Sequence, residues 1–199
     1  MENKRKICIM GMGYIGLPTA ALLANRGYQV HGVDVNQHAI DTINRGEIHI
    51  VEPELDTFVR SAVQSGSLVA NVDPAESDIF MIAVPTPFHA DKLNKVTNSP
   101  IPNVDYIEDA TKKIAPYVKS GNLILLESTS PVGTTDMMAD ILKKEGVNID
   151  SVFIAHSPER VLPGHIMREL IENDRVVGGV NAESTIKAAE FYQTFVEGE

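Results

Sequence analysis

At 199 residues, with 43% apolar and 22% charged side chains, the chain has the length for one sizeable core and the ordinary balance of a globular protein. Its formal net charge of −10 excludes a broad nucleic-acid or anionic-membrane face, because such partners are held by clustered lysine and arginine. The single cysteine, Cys8, excludes an internal disulfide and fits a reducing compartment, so a cytoplasmic location is expected.

Ile7 to Met10 is a short apolar run ended by glycine, as in a parallel strand covered on both faces. Gly11, Gly13 and Gly16 follow in the spacing G-x-G-x-x-G. The first permits a tight turn, the second lets a pyrophosphate approach the backbone, and the third lets helix and strand pack closely. Pro18 falls in the first helical turn, where a missing N–H costs nothing, and Ala20 to Ala24 supply strong helix formers before Gly27 ends the helix. Gln29 to Val33 resumes an extended apolar pattern that stops at Asp34, 18 positions after Gly16. Ordinary glycine-rich turns share such spacing, but strand, helix, second strand and acid at these offsets specify a dinucleotide site over Gly11, Met12, Gly13, Tyr14, Ile15, Gly16 and Asp34. The acid accepts from the adenosine ribose hydroxyls and repels a 2′-phosphate. Val35, Asn36 and Gln37 bring no arginine, so NAD is expected over NADP. A basic run ahead of this stretch imitates a secretory signal, but the glycines and Pro18 break the supposed apolar helix. No other segment is apolar enough to span a bilayer, and no membrane partner is expected.

Apolar residues at Ala39, Ile40 and Ile43 predict a crossover helix over Gln37–Arg45, closed by Gly46. His49 then lies among acids, but without the usual ligand spacings; the segment reads as a solvated loop feeding a helix from about Glu54 to Gln64, and no metal is expected. Leu68–Ala70 is a short strand and Ile79–Val84 a stronger one, ending at Pro85-Thr86-Pro87. Here the sheet is expected to reverse direction, so the loop Val84–Phe88, with Val84, Pro85 and Thr86 foremost, borders the cofactor. His89–Asn103 is polar, proline-containing and aperiodic, which marks a mobile loop or lid.

Helical spacing returns over Asp105–Val118, disturbed by Pro116, and is followed by a buried strand at Leu123–Leu126. Glu127-Ser-Thr-Ser-Pro-Val-Gly133 leads to a helix over Thr134–Glu145, and Val152–Ala155 is the next strand. His156 to Gly164 forms a loop at a carboxyl strand end, Arg175–Gly178 a last strand and Ala182–Val196 a last helix. Alternating strands and helices without repeats predict a single α/β domain over residues 1–199, a Rossmann-like, doubly wound, mainly parallel sheet with helices on both faces.

Six motifs in order, GMGYIGLPTAA, VDVNQHAIDTINRGEIHIVEPEL, IAVPTPF, ESTSPVGTT, SPERVLPG and NDRVVGG, resemble the UDP-glucose/GDP-mannose dehydrogenase family. The resemblance runs over nearly the whole chain and covers the family's N-terminal, NAD-binding half. It implies oxidation of the C6 alcohol of a UDP-sugar to a carboxylate in two NAD-dependent steps, through an enzyme-bound thiohemiacetal and thioester. It places Thr86, Ser128 and Thr129 at the cofactor and water site, with Glu159 as the carboxylate assisting water and proton transfer. Arg160, Val161 and Leu162 fall on the loop against which the UDP-sugar lies. By residue type alone Glu159 and Arg160 would make a surface ion pair.

The family's cysteine nucleophile, with its lysine and asparagine, belongs to segments beyond those matched here. The last helix is expected to lead into that central helix and C-terminal domain, and the chain as given is expected to be inactive. Cys8 sits inside the first strand as an ordinary buried thiol and is no substitute. Full-length relatives are implied to be homo-oligomers, whereas a monomer is the expectation for this portion alone. Two other readings stand beside this one: a stand-alone NAD-binding module, and an S-adenosylmethionine methyltransferase, which also places an acid after a second strand. The catalytic-loop motifs oppose the first, and Pro-Thr-Pro with Ser-Pro-Glu-Arg opposes the second.

Overall fold

A computed structural model of the chain describes residues 5–95 and 97–198. The first half alternates as the apolar pattern requires: β1 (Lys6–Met10), α1 (Gly16–Asn25), β2 (Gln29–Val33), α2 (Gln37–Asn44), α3 (Leu55–Gln64), β3 (Leu68–Asn71) and β4 (Ile79–Ile82). Asn36 starts α2 by accepting the His38 amide on its side chain at 3.0 Å, which satisfies a donor that the first turn would otherwise orphan. After β4 come β5 (Phe88–Leu93) and β6 (Pro100–Pro102), then α4 (Asp105–Ile114), β7 (Leu123–Leu126), α5 (Thr134–Lys144), β8 (Phe153–His156), α6 (Ile166–Glu172), β9 (Gly178–Gly179) and α7 (Ala182–Tyr192).

Seven strands form one sheet in the order β3-β2-β1-β4-β7-β8-β9, parallel except for β9, which runs antiparallel to β8. The chain therefore winds outward from β1 in both directions, and the switch point lies between β1 and β4, where the Pro-Thr-Pro signal placed it. Successive residues of one strand serve opposite cores. Ile7, Ile9, Ile79, Met81, Leu123 and Leu125 pack with α1, α3, α6 and α7, while Cys8, Met10, Phe80, Ile82, Ile124 and Leu126 pack with α4 and α5. This is why the strands read as unbroken apolar runs rather than as an alternation.

The sequence expectation fails in three places. Segment 89–103 is largely an antiparallel pair, β5 with β6, Phe88 opposite Pro102 and Leu93 opposite Pro100, rather than an aperiodic loop. Residue 96, within it, lies outside the described residues. Helix α6 had no counterpart in the sequence reading. The last strand is two glycines, displaced from Arg175–Gly178 toward the helix that follows. Helix α4 stops at Ile114 and tightens into a 3₁₀ turn over Ala115–Tyr117, as Pro116 demands. No described helix is long and apolar enough to cross a membrane.

Candidate functional site

The carboxyl ends of β1, β2 and β4 are level: Met10 pairs with both Val33 and Ile82, so Gly11, Asp34 and Ala83 emerge side by side. Gly11 has φ +94°, and a Cβ there would stand 2.6 Å from the Ala83 carbonyl oxygen, so β4 closes the turn from behind. A Cβ on Gly16 would stand 1.8 Å from the carbonyl oxygen of Gly11, which is the helix-to-strand contact the third glycine serves. A Cβ on Gly13 meets nothing within 4 Å. That glycine faces open space, as the approach of a pyrophosphate requires. The amides of Gly13, Tyr14 and Ile15 donate to no acceptor among the described residues, and they stand at the positive end of α1.

Asp34 is half-buried and held in place by two backbone donors: the Met12 amide to Oδ2 at 2.8 Å and the Asn36 amide to Oδ1 at 2.8 Å. Each carboxylate oxygen keeps a further lone pair, so the acid is oriented before any ribose arrives. Met12 does not face that space. Its side chain is fully buried against Gly32, whose added Cβ would lie 2.5 Å from Sδ, and its amide is already taken by Asp34. Tyr14 is exposed and Ile15 half-buried. Open space before Gly13, unengaged amides and a fixed acceptor fit the diphosphate and adenosine ribose of a dinucleotide.

The loops after β4 and β7 are joined at the same edge. Ser128 donates its hydroxyl to the Val84 carbonyl at 2.8 Å and is buried, so it braces the loops instead of facing outward. Thr86 is half-buried, while Pro85 and Thr129 are exposed. His156, at the end of β8, donates Nε2–H to the Ser128 carbonyl at 3.2 Å; burial pushes its pKa down and this hydrogen bond opposes the shift.

Glu159 is not the surface partner of Arg160. Its side chain is turned inward to an ion pair with Arg175, and the two side chains are only 4% and 6% exposed. Arg160 is exposed and donates to the Asp174 carbonyl at 3.1 Å; Leu162 is exposed, and Val161 packs on the core. The loop carrying them is fastened by Glu52, a buried acid that accepts the amides of Gly164 and Ile166, each at 2.8 Å. The acidic stretch around His49 is thus a loop anchor. No cluster of metal-ligating side chains occurs among the described residues.

Sequence reasoning assigned no role to Glu127, Arg175 or Tyr192, which lie together behind Glu159. Tyr192 donates its hydroxyl to Glu127 Oε1 at 3.1 Å, and the Arg175 guanidinium lies 5.1 Å over the Tyr192 ring. Burial raises the Glu127 pKa to about 7, with the Arg175 charge and the Tyr192 hydrogen bond opposing the shift. The available signal was an acid placed directly after the apolar strand Leu123–Leu126, where the first polar position is still inside the core.

Residues 5–196 match the family model described as UDP-glucose/GDP-mannose dehydrogenase family, NAD binding domain. The chain is similar to a UDP-N-acetyl-D-mannosamine dehydrogenase of Campylobacter jejuni, 50% identical over 208 aligned residues covering 100% of this chain and 49% of that protein. It is also similar to an NDP-N-acetyl-D-galactosaminuronic acid dehydrogenase of Ralstonia nicotianae, 49% identical over 203 aligned residues, with 98% and 46% covered. Among solved structures it resembles the native UDP-N-acetyl-mannosamine dehydrogenase of Staphylococcus aureus, with TM-score 0.87, 40% identity, and 98% and 46% covered. The chain spans about half the length of the curated relatives it matches.

Proposed function

Since the chain belongs to the UDP-glucose/GDP-mannose dehydrogenase family, as its NAD-binding domain, we propose that it is the cofactor-binding portion of a UDP-N-acetyl-D-mannosamine 6-dehydrogenase. The observation that carries this reading is the pairing of a built dinucleotide cradle with the Ser-Pro-Glu-Arg loop on the same sheet edge. NAD, when bound, supplies the hydride acceptor. The chain's own residues do the rest of the binding. The amides of Gly13 to Ile15 meet the diphosphate, Asp34 accepts the adenosine ribose hydroxyls, and Thr86 and Thr129 line the exposed side of the switch point.

In this reading Glu159 is the carboxylate that positions water and takes its proton, which requires it to exchange its contact with Arg175 for one with the reacting centre. Arg160, Val161 and Leu162 supply one wall for the UDP-sugar. UDP-N-acetylglucosamine, UDP-glucose or an N-acetylgalactosamine nucleotide would meet the same wall, and the similarity to both mannosamine and galactosaminuronic acid enzymes keeps those sugars as alternatives. The 199 residues hold one thiol, Cys8, which is fully buried and whose pKa is pushed up to about 11 by burial. They are therefore expected to form no thioester and no uronate by themselves.

The test is saturation-transfer NMR on the chain with NAD, S-adenosylmethionine and UDP-N-acetylmannosamine. Transfer is expected to NAD and, with NAD present, to the UDP-sugar, the latter weakened in Arg160→Ala. Transfer to S-adenosylmethionine in place of NAD would contradict the dehydrogenase reading, and an unchanged UDP-sugar signal in Arg160→Ala would remove the loop from it.

A further inference from the structure

Behind the candidate site lies a buried cluster with two acids and one cation. Glu127 ends the run after β7, Glu159 lies in the loop after β8, Arg175 comes from the segment before β9, and Tyr192 comes from the last turn of α7. The acids are neighbours on adjacent chain segments, the Glu159 amide reaching the Glu127 carbonyl at 3.5 Å. Glu127 is 1% exposed and Tyr192 2%, and the side chains of Glu159 and Arg175 are 4% and 6% exposed. Arg175 pairs through Nη1 with Glu159, donates Nη2 to the Leu170 carbonyl at 3.0 Å and stacks over Tyr192. Glu127 receives the Tyr192 hydroxyl on Oε1, while its Oε2 is buried and engages no partner among the described residues.

Charge counting decides the state of this cluster. One guanidinium neutralises one carboxylate, and a second buried carboxylate without a cation is among the most costly arrangements in a protein interior. A neutral carboxylic acid with one unmatched oxygen costs far less. Glu159 holds the ion pair with Arg175, whereas Glu127 hydrogen-bonds an uncharged phenol and feels the Arg175 charge less strongly than its own burial. The remaining facing groups do not alter the balance: His156 donates to the Ser128 carbonyl with its pKa pushed down by burial, and burial holds the Tyr192 phenol protonated.

We propose that Glu127 is a positioning residue for Glu159: it retains a proton in the buried cluster, which leaves Arg175 to Glu159 and keeps Glu159 an ionised carboxylate at neutral pH. The proposal rests on the reading of Glu159 as the water-handling carboxylate. An acid that must accept a proton from water has to be ionised beforehand, and two acids sharing one cation cannot both be. The upward displacement of the Glu127 pKa by burial agrees with this division.

The test uses the chain labelled with ¹³C at the glutamate side-chain carboxyls, titrated by NMR. Glu127→Gln and Glu159→Gln identify the two signals by their loss. Glu127 is expected to titrate near neutrality, and Glu159 to stay ionised at pH values where Glu127 is already protonated. In Glu159→Gln, which frees Arg175, the Glu127 midpoint is expected to fall by about one pH unit or more. A structural role alone would not move it. If Glu127→Gln does not fold, Glu127→Asp, which keeps the carboxyl but removes the labelled glutamate, identifies the signal by its loss instead. Ionisation of Glu127 in the ordinary carboxylate range, a protonated Glu159 at neutral pH, or an unmoved Glu127 midpoint in Glu159→Gln would each overturn the proposal. NAD added to the same sample separates the two readings: a chain that binds NAD but fails the titration refutes this inference alone. One that passes the titration without binding NAD refutes the dehydrogenase reading, and with it the role of Glu159.

Discussion

Gly13 and Gly16 belong to one motif yet do unlike work, and substitution separates them. A side chain on Gly13 enters open space, so Gly13→Val is expected to leave thermal stability within about 1 kcal/mol and to abolish NAD binding by occupying the diphosphate approach. A methyl on Gly16 strikes the Gly11 carbonyl, so Gly16→Ala is expected to cost about 3 kcal/mol or more of folding free energy. Circular-dichroism melts paired with NAD titration check both; a Gly13→Val variant that still binds NAD would move the cofactor elsewhere. The glycine spacing and Asp34 were legible because backbone chemistry fixes them. Met12 was not: spacing places it in the turn, but only packing shows that Gly32 on β2 makes room for its side chain in the core. Glu159 was legible as an acid in the Ser-Pro-Glu-Arg loop, while its ion-pair partner Arg175, separated from it in sequence, was not.

At the scale of elements, long periodic stretches were readable and short ones were not. Helix α6 has seven residues, under two turns, and follows Pro163 and Gly164, so no period emerges from it. The β5–β6 pair contains Pro100 and Pro102, which argue against a central strand but are tolerated in a separate two-stranded ribbon. The buried acid cluster joins β7, the segment around Arg175 and α7, so its titration is expected to appear in folding stability. Folded Glu127 keeps its proton up to about pH 7, whereas the unfolded chain releases it near 4.5. Its contribution is therefore complete below pH 4.5 and is lost as pH rises through about 7. Urea unfolding across that window is expected to show the decline, and a flatter profile in Glu127→Gln; an equally steep decline in the variant would assign the effect to another group.

At the scale of the molecule, the fold class followed from alternation alone, and the switch point followed from two prolines after the strongest strand. What the sequence could not deliver was which loops meet, because Ser128 to Val84 and Glu52 to Gly164 and Ile166 are contacts between distant segments. This sheet edge is an NAD site, and the chemistry of Cys8 plays no part in it. Buried, and with its pKa raised to about 11, Cys8 is expected to resist iodoacetamide in the native chain and to react only after unfolding. Rapid native alkylation would show the thiol to be accessible. The cradle itself is tested most directly by calorimetric titration of the chain with NAD and NADP, repeated with Asp34→Ala. One NAD site is expected, with NADP weaker by about tenfold or more, and NAD affinity reduced by ~10–100-fold in the variant with the preference narrowed. Equal affinity of the unmodified chain for the two cofactors, or unchanged NAD binding in Asp34→Ala, would contradict it.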